Sequence, residues 1–291
     1  MMLLLAMAWA LQQVAIKLAA PHMPLLMQAA VRSSIATALL LGWAALRGIG
    51  LWQRDRTFWP GVIAGVLFGL EFALIYGGLA YTTAGRMIVF LYLAPCFTAL
   101  GLAPFLPAER LGVPQWAGVA LAFAGVAIAF GDSSAGPRAY IGDLCAVAAA
   151  LLWASTTVLI RTTDLARVTA TKVLFYQLAT SAVVLWLVTA ATGDATPQAP
   201  NALVIVSLAY QSIVVAFASY LLWFWLLTRY LASRLSVFSF LTPLFGVAFG
   251  VIFLAEPLTA RFGAAALLVG AGIALVNRVP ARPTGPRPKS R

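Results

Sequence analysis

The chain is poor in charged residues, and this shortage excludes most soluble folds. Charged side chains make up 9% of its 291 residues and hydrophobic ones 63%, with a mean hydropathy of +0.96. An ordinary soluble domain carries roughly 25% charged residues, and a globule of this size has too little interior to bury so much apolar surface. The composition therefore predicts a membrane protein.

Catalytic and cofactor motifs are also missing. The chain has one histidine and two cysteines, and it contains neither a GxxxxGK[ST] phosphate loop nor an HExxH zinc motif. Cys96 and Cys145 lie in apolar runs, where we expect no disulfide. We therefore predict no enzyme activity, no metal and no cofactor. The net charge of +11 is spread between hydrophobic runs, which argues against a nucleic-acid partner.

Long apolar runs are what the sequence has in abundance. A bilayer core about 30 Å thick needs about 20 apolar residues per helix, and charges, prolines and glycines divide the chain at that spacing. We predict an all-α membrane protein with ten transmembrane helices. Their approximate spans are 2–19, 24–46, 58–80, 84–106, 112–131, 139–160, 168–191, 202–227, 231–254 and 260–277.

The 19 lysines and arginines are distributed unevenly among the predicted loops. Most fall on the side that holds both termini, and positively charged loops are retained in the cytoplasm. Both termini are therefore predicted to be cytoplasmic, with Lys17 and Arg86 near the opposite face. The basic, proline-rich segment 279–291 is predicted to be a disordered cytoplasmic tail.

Segments of the first half recur in the second half. WALQQVAIK, which begins at Trp9, resembles WASTTVLIR, which begins at Trp153. AGRMIVFLYLAP, residues 84–95, likewise resembles ASRLSVFSFLTP, residues 232–243. The LPAERL and LAEPL motifs also match and pair Glu109 with Glu256. Several matches in the same order indicate an internal duplication.

The duplicated units contain five predicted helices each. Because five is odd, the second unit must enter the membrane from the opposite side. We therefore predict two inverted repeats, 1–136 and 137–278, around a central cavity. Secondary transporters use this architecture for alternating access, with one site near the midplane and two gates.

The same residues carry a family resemblance over essentially the whole chain. The features are WALQQVAIK, Arg32 early in the second helix and, most specifically, the run from Tyr220 to Leu275 with its mid-helix proline and Glu-Pro-Leu turn. The chain resembles the EamA-type branch of the drug/metabolite transporter superfamily, and within it the YddG-like exporters of aromatic amino acids and paraquat. This resemblance implies export of small metabolites across the bacterial inner membrane. Gln13 and Glu71 are not part of the family pattern.

Arg32 and Glu71 are the ionisable side chains that lie deepest in the predicted spans. At 1.5 Å per residue, Arg32 lies about 12 Å and Glu71 about 10 Å from the same face. An unpaired charge at such depth costs at least about 2.5 to 3.5 kcal/mol. We therefore expect the two side chains to pair, either as a structural bridge or as the place where a substrate carboxylate or amine binds.

Other polar and aromatic side chains near the predicted midplane either line the cavity or hold the helices together by hydrogen bonds. Pro95 and Pro243 occupy matched mid-helix positions, where a missing N–H permits either a gate hinge or a static kink. The predicted substrate-binding residues are Trp9, Gln12, Gln13, Arg32, Glu71, Tyr92, Trp153, Thr156, Gln177, Gln211 and Trp223.

The predicted function is a secondary transporter that exports small amphipathic metabolites, in the first place aromatic or hydrophobic amino acids. We expect it to work as a monomer in the lipid bilayer. Two alternatives stay open. Glu71 and the aromatic rings also suit a lipophilic organic cation, and a channel-like pore would differ from a carrier by its unsaturated flux.

Overall fold

The computed structural model describes residues 1–51, 55–106, 111–132, 134–193, 201–229 and 241–277. Within these ranges the chain is helical and contains no β-strand. Eight helical segments are long and apolar enough to cross a membrane, and two shorter apolar helices lie near the carboxyl end. The predicted all-α membrane class is confirmed. Glu109, segment 231–240 and the tail 279–291 lie outside the described ranges.

The helices follow one another with short connections. In chain order they are α1 (Met2–Ala19), α2 (Leu25–Leu46), α3 (Phe58–Gly78), α4 (Ala84–Leu91), α5 (Ala94–Leu102), α6 (Val113–Phe130), α7 (Ala139–Thr162), a 3-10 turn (Asp164–Arg167), α8 (Ala170–Thr192), α9 (Ala202–Ala209), a π-helix (Tyr210–Ser219), α10 (Tyr220–Arg229), α11 (Leu241–Leu254) and α12 (Ala260–Val276).

Polar side chains at the amino ends fix where several helices begin. Thr83, Thr169, Asn201 and Thr259 each accept a backbone N–H from the first turn of the helix that follows them. Such caps satisfy amide groups that have no partner within the helix. The bounds of α1, α2, α3, α6, α7, α8 and α12 lie within two residues of the predicted spans.

Two predicted spans contain interruptions. The predicted span 84–106 breaks at Tyr92 and Leu93 into α4 and α5. Pro95 lies in the first turn of α5, where its missing N–H leaves no helical hydrogen bond unmade. The interruption expected at Pro95 is thus present as a break just before the proline, and the role of Pro95 as a gate hinge stays a prediction. The predicted span 202–227 is continuous but passes through the π-helix, a conformation that is frequent at functional sites.

The helices pack side by side in a bundle. The closely packed pairs are α6 with α12, α3 with α7 and α8, α2 with α8 and the π-helix, α1 with α11 and the π-helix, α4 with α11 and α7, and α5 with α7. We name the two ends of this bundle after a residue at each: the Lys17 end holds the carboxyl end of α1 and the amino ends of α2, α4 and α7, and the Asp55 end holds the amino ends of α3 and α8.

Candidate functional site

Polar side chains from four helices meet inside the bundle. We define the central cluster as Gln12 on α1, Arg32 on α2, Glu71 and Tyr76 on α3, and Tyr220 on α10. Electrostatic interactions link Arg32 to Glu71, to Tyr76 and to Tyr220, and Tyr76 lies beside Gln12. Gln12, Arg32, Glu71 and Tyr76 are all at most 5% exposed. Three of the predicted site residues therefore lie together, as expected.

Arg32 stacks on an aromatic ring instead of forming an ion pair. Its guanidinium carbon lies 4.1 Å from the centre of the Phe72 ring, and the side chain is fully buried. Among the described residues, none of its three guanidinium nitrogens makes a hydrogen bond of acceptable length and angle, although the hydroxyl of Tyr220 lies close to the guanidinium, and Oε2 of Glu71 has no partner. The predicted contact between Arg32 and Glu71 is therefore wrong. The cation-π contact with Phe72 stabilises the buried guanidinium.

Further buried polar atoms near the cluster also lack partners. Buried polar groups are hydrogen-bonded in most proteins, so a group of unsatisfied ones indicates where a polar ligand or water binds. Among the described residues these atoms are Nε2 of Gln12, Oε1 of Gln13, the three guanidinium nitrogens of Arg32, Oγ of Ser33, Oε2 of Glu71, Oγ of Ser212 and Oγ1 of Thr242.

Gln211 belongs to a satisfied hydrogen-bond network beside the cluster. The hydroxyl of Tyr76 donates to Oε1 of Gln211 at 2.5 Å. Nε2 of Gln211 donates to Ser207 at 2.8 Å and to Oε1 of Gln28 at 3.3 Å. Nε2 of Gln28 donates in turn to the carbonyl of Met23 at 3.0 Å. Both ends of the Gln211 amide are therefore hydrogen-bonded within the protein, and Gln211 positions Tyr76 in this structure. The polar atoms without partners belong to the central cluster instead.

Trp9 and Trp223 form an aromatic pair. Their ring centres are 5.9 Å apart in an edge-to-face arrangement, and Nε1 of Trp9 donates to Oγ of Ser219 at 2.9 Å. Both rings are half-buried. Ser219 directly precedes Tyr220, so this pair lies next to the central cluster along α10.

Tyr92 and Trp153 form a second aromatic pair. Their ring centres are 5.7 Å apart, again edge to face. The hydroxyl of Tyr92 lies near Thr242 and interacts with Tyr220. Tyr92 is therefore connected to the central cluster through Tyr220, and Trp153 extends the same apolar surface.

Two predicted site residues lie apart from the cluster. Thr156 is buried, but its hydroxyl donates to the carbonyl of Leu152 at 2.9 Å within its own helix. Gln177 is half-buried on α8, and no hydrogen bond among the described residues includes its amide. Its neighbour Tyr176 packs against Gly61 near the Asp55 end. Pro243 is buried near the start of the described part of α11.

The Lys17 end is tied together by a buried ion pair. Nη2 of Arg86 donates to Oδ2 of Asp143 at 2.5 Å, and its Nε donates to Oδ1 at 3.2 Å. The same guanidinium donates to the carbonyls of Asp132 and Ala129, and Thr82 donates to Asp143 at 2.7 Å. All of these donors are therefore used, in contrast to those of Arg32.

Asp132 connects the loop after α6 to the amino end of α12 at the same end of the bundle. Burial opposes ionisation of its carboxyl group, but hydrogen bonds from Ser134 and from the hydroxyl of Thr259 lower the pKa to about 2. The carboxylate stays ionised at neutral pH and holds the Thr259 side chain, which also caps α12.

Glu256 caps α4 from the connection between α11 and α12. Its Oε1 accepts the backbone N–H of Ala84 at 2.6 Å and its Oε2 accepts that of Gly85 at 3.0 Å. Nζ of Lys17 lies 3.9 Å from Oε1 of Glu256 and donates to the carbonyl of Thr82 at 2.7 Å. A carboxylate at a helix amino end is stabilised by the free N–H groups and the helix dipole.

The Asp55 end has its own ion pair. Nζ of Lys172, which is 2% exposed, donates to Oδ2 of Asp55 at 2.6 Å. This bond, with those from Thr57, lowers the pKa of Asp55 to about 2. A groove of about 880 Å³ lies nearby between α3 and α8, with the exposed apolar side chains Phe58 and Val183 in its walls. It contains no residue of the central cluster and has the apolar surface expected next to lipid.

Sequence reasoning missed Tyr76 and Tyr220. Tyr220 lies three residues before Trp223, so the two share a face of α10, and this spacing could have identified it. Tyr76 had no such signal, because its burial and its bond to Gln211 depend on packing between α3 and the π-helix.

Comparisons with known proteins agree with this architecture. The model of the EamA-like transporter family matches residues 1–131 and 140–278. A Bacillus subtilis protein named "Uncharacterized transporter YvbV" is 31% identical over 278 residues, which are 94% of this chain and 89% of the relative. A Salmonella typhimurium protein named "Probable amino-acid metabolite efflux pump" is 27% identical over 289 residues, 93% of this chain and 91% of the relative.

A solved crystal structure shares the fold. It superposes with a TM-score of 0.66 and 23% sequence identity, and the match covers 94% of each chain. The family match extends over nearly all of the chain in two segments, and the predicted resemblance is thereby confirmed. The chain belongs to the EamA-like transporter family.

Proposed function

We propose that this protein is a secondary transporter that exports small amphipathic metabolites, in the first place amino acids with aromatic or other hydrophobic side chains. The observation that carries this proposal is the central cluster, where polar atoms without partners lie next to two aromatic pairs. Such a site offers hydrogen bonds and charge to one end of a molecule and ring surfaces to the other. The name of the Salmonella typhimurium relative supports the same substrate class.

The proposed architecture is two inverted five-helix repeats, 1–136 and 137–278, that provide alternating access to this site. The family model matches two segments on either side of that boundary. Several helix pairs join an element to its counterpart in the other half, as an approximate two-fold axis requires: α6 with α12, α2 with α8, and α4 with α11. The contact between α3 and α7 also has an equivalent in the other arrangement of the halves. The π-helix, which corresponds to α3, packs against α1, which corresponds to α7.

The proposed location is the bacterial inner membrane, with the Asp55 end and both termini in the cytoplasm. The excess of lysine and arginine in the loops at that end supports this orientation. The Lys17 end then faces the periplasm, and contacts of Glu256 and Arg86 join the two halves of the chain there. The proposed functional unit is a monomer in the lipid bilayer.

A second candidate substrate is a lipophilic organic cation. Glu71 is a buried carboxyl group with an unpartnered oxygen, and the edge-to-face rings beside the cluster offer faces for cation-π contact. Arg32 argues against it, because a fixed positive charge in the same cluster repels a cation.

The experiment that tests the proposal is uptake by proteoliposomes that contain the purified full chain. The panel contains radiolabelled tryptophan, phenylalanine, leucine and a quaternary ammonium compound, each with and without a pH gradient. Saturable uptake of amino acids with mutual competition would support the carrier. Linear flux without saturation would support a channel, and uptake of the quaternary ammonium compound alone would support the cation exporter.

A further inference from the structure

The Arg32 guanidinium and the Glu71 carboxyl group lie in one buried cluster, yet they are not in contact. They interact electrostatically, but no guanidinium nitrogen of Arg32 makes a hydrogen bond of acceptable length and angle among the described residues, and Oε2 of Glu71 makes none either. Arg32 is fully buried and Glu71 is 4% exposed. Two buried charges of opposite sign would normally close on each other to offset the cost of leaving water.

The neighbouring side chains explain why the two groups stay apart. Phe72, the residue after Glu71, lies under the face of the Arg32 guanidinium at 4.1 Å. The hydroxyl of Tyr220 interacts with both groups and lies close to the Arg32 guanidinium. The planar guanidinium of Arg32 carries parallel N–H donors along its edge. This edge has the geometry that binds a carboxylate through two hydrogen bonds.

We propose that Arg32 and Glu71 together recognise a zwitterion, with the substrate carboxylate on the Arg32 guanidinium and the substrate ammonium on the Glu71 carboxylate. This inference rests on the proposed transport function and specifies how the same site selects its substrate. An α-amino acid carries both charges on one carbon atom and therefore satisfies both groups at once. An amine would leave the Arg32 guanidinium unpaired, and an acid would leave Glu71 unpaired.

The remaining polar atoms of the site fit the same ligand. Nε2 of Gln12 and the hydroxyls of Ser33 and Ser212 are buried and without partners among the described residues. A carboxylate and an ammonium group together need more hydrogen bonds than one guanidinium and one carboxylate supply. These groups come from α1, α2 and the π-helix, and α2, which carries Arg32, packs against the π-helix.

The first test uses the unaltered protein, so it does not depend on any variant that fails to fold. Uptake of radiolabelled tryptophan into proteoliposomes is measured in the presence of unlabelled tryptophan, tryptamine, which lacks the carboxylate, or indole-3-propionate, which lacks the ammonium. The expected result is that each analogue inhibits at least about tenfold more weakly than tryptophan, since a buried charge left unpaired is strongly unfavourable. Equal inhibition by tryptamine would overturn the inference but leave the proposed function intact.

The second test assigns each charge to its residue. Arg32→Gln is expected to weaken tryptophan binding by about tenfold or more and to strengthen tryptamine binding, because it removes the donor of the substrate carboxylate and the charge that repels a cation, so the preference for the carboxylate is lost. Glu71→Gln should reduce the difference between tryptophan and indole-3-propionate in the same way. Arg32→Lys keeps the charge but loses the two parallel donors, so it should keep the order of preference with weaker affinity. Arg167→Gln is the control, because it removes a positive charge at an exposed position outside the cluster.

The outcomes separate the two proposals. Tryptophan uptake with the same analogue preferences in all variants would overturn the role of Arg32 and Glu71 while the carrier function stands. If no amino acid is transported or competes, both the zwitterion and the amino-acid substrate are wrong, and uptake of the quaternary ammonium compound then identifies the cation exporter.

Discussion

Glu256 holds the amino end of α4 through Gly85, a residue 171 positions earlier in the chain. Ala255, which precedes Glu256, adopts a left-handed backbone conformation with φ 51°, and the N–H of Glu256 donates to the carbonyl of Gly250 at 3.1 Å. This turn directs the carboxylate back towards α4. Gly85 and Gly250 leave the room for it, because a side chain at Gly250 would overlap Glu256. The Glu-Pro-Leu motif is thus a contact between the two halves of the chain.

We expect Glu256→Gln to open the Lys17 end more often. A carboxylate at a helix amino end contributes about 0.5 to 2 kcal/mol, which corresponds to a change of roughly two- to thirtyfold in the closed-to-open ratio. The measurement is labelling of Thr242→Cys, in a background without Cys96 and Cys145, by a maleimide that does not cross membranes. Faster labelling from the Lys17 side is expected.

The control for this experiment is Arg138→Gln. Arg138 lies at the same end of the bundle, is exposed and makes no capping hydrogen bond through its side chain. In the Arg138→Gln variant, the maleimide should label Thr242→Cys at the same rate as in the parent protein. A rate for Glu256→Gln equal to that of Arg138→Gln would show that the capping contact does not control access.

The helix positions were predictable from the sequence, because bilayer thickness and apolar run length determine them. Arg32 and Glu71 were predictable as buried charges for the same reason. Their separation was not, because the stacking of Arg32 on Phe72 depends on side-chain rotamers set by three helices. An interruption near Pro95 was predictable from the proline, but its place at Tyr92 and Leu93 was not, since the surrounding residues are uniformly apolar.

Arg86→Gln should destabilise the protein strongly. Arg86 and Asp143 are at most 3% exposed, and the substitution leaves the Asp143 carboxylate buried without its guanidinium partner. Breaking a buried ion pair from one side costs about 3 to 5 kcal/mol. Thermal unfolding in detergent should show a clearly lower Tm than for Arg261→Gln, the control at an exposed arginine of the same end.

The double variant Arg86→Gln with Asp143→Asn gives a further check. Removing both charges eliminates the uncompensated carboxylate, so the double variant should recover part of the lost stability. If it is less stable than Arg86→Gln alone, the hydrogen bonds of Asp143 to Thr82 matter more than its charge.

The Asp55 and Lys172 pair predicts a pH-dependent contribution to stability. Its hydrogen bond from Lys172 lowers the pKa of Asp55 from 3.8 to about 2 in the folded state. A group with a lowered pKa stabilises the fold above its unfolded pKa, and this contribution disappears as the pH falls through the folded value. The Tm difference between the parent and Asp55→Asn should therefore be constant between about pH 5 and 7 and smaller near about pH 3.

Asp164→Asn serves as the comparison for that measurement. Asp164 pairs with Arg167 only at an exposed site, where ion pairs contribute little. The Tm difference between the parent and Asp164→Asn should stay near zero at every pH. A difference for Asp55→Asn that grows as the pH falls would contradict the assigned direction of the pKa shift.

The contact between α6 and α12 depends on glycine at position 272. A Cβ atom there would lie 2.6 Å from the backbone nitrogen of Ala122 and 2.6 Å from the carbonyl oxygen of Gly118. Both are backbone atoms, so the helices would have to separate, and overpacking of this kind costs about 1 to 3 kcal/mol. Gly272→Ala should therefore lower the Tm in detergent.

Gly42→Ala is the matched control, because no atom lies within 4 Å of a Cβ at that exposed position of α2. Alanine has a higher helix propensity than glycine, so Gly42→Ala should leave the Tm unchanged or raise it. Equal Tm values for the two variants would show that α6 and α12 tolerate a wider separation than the glycine contact implies.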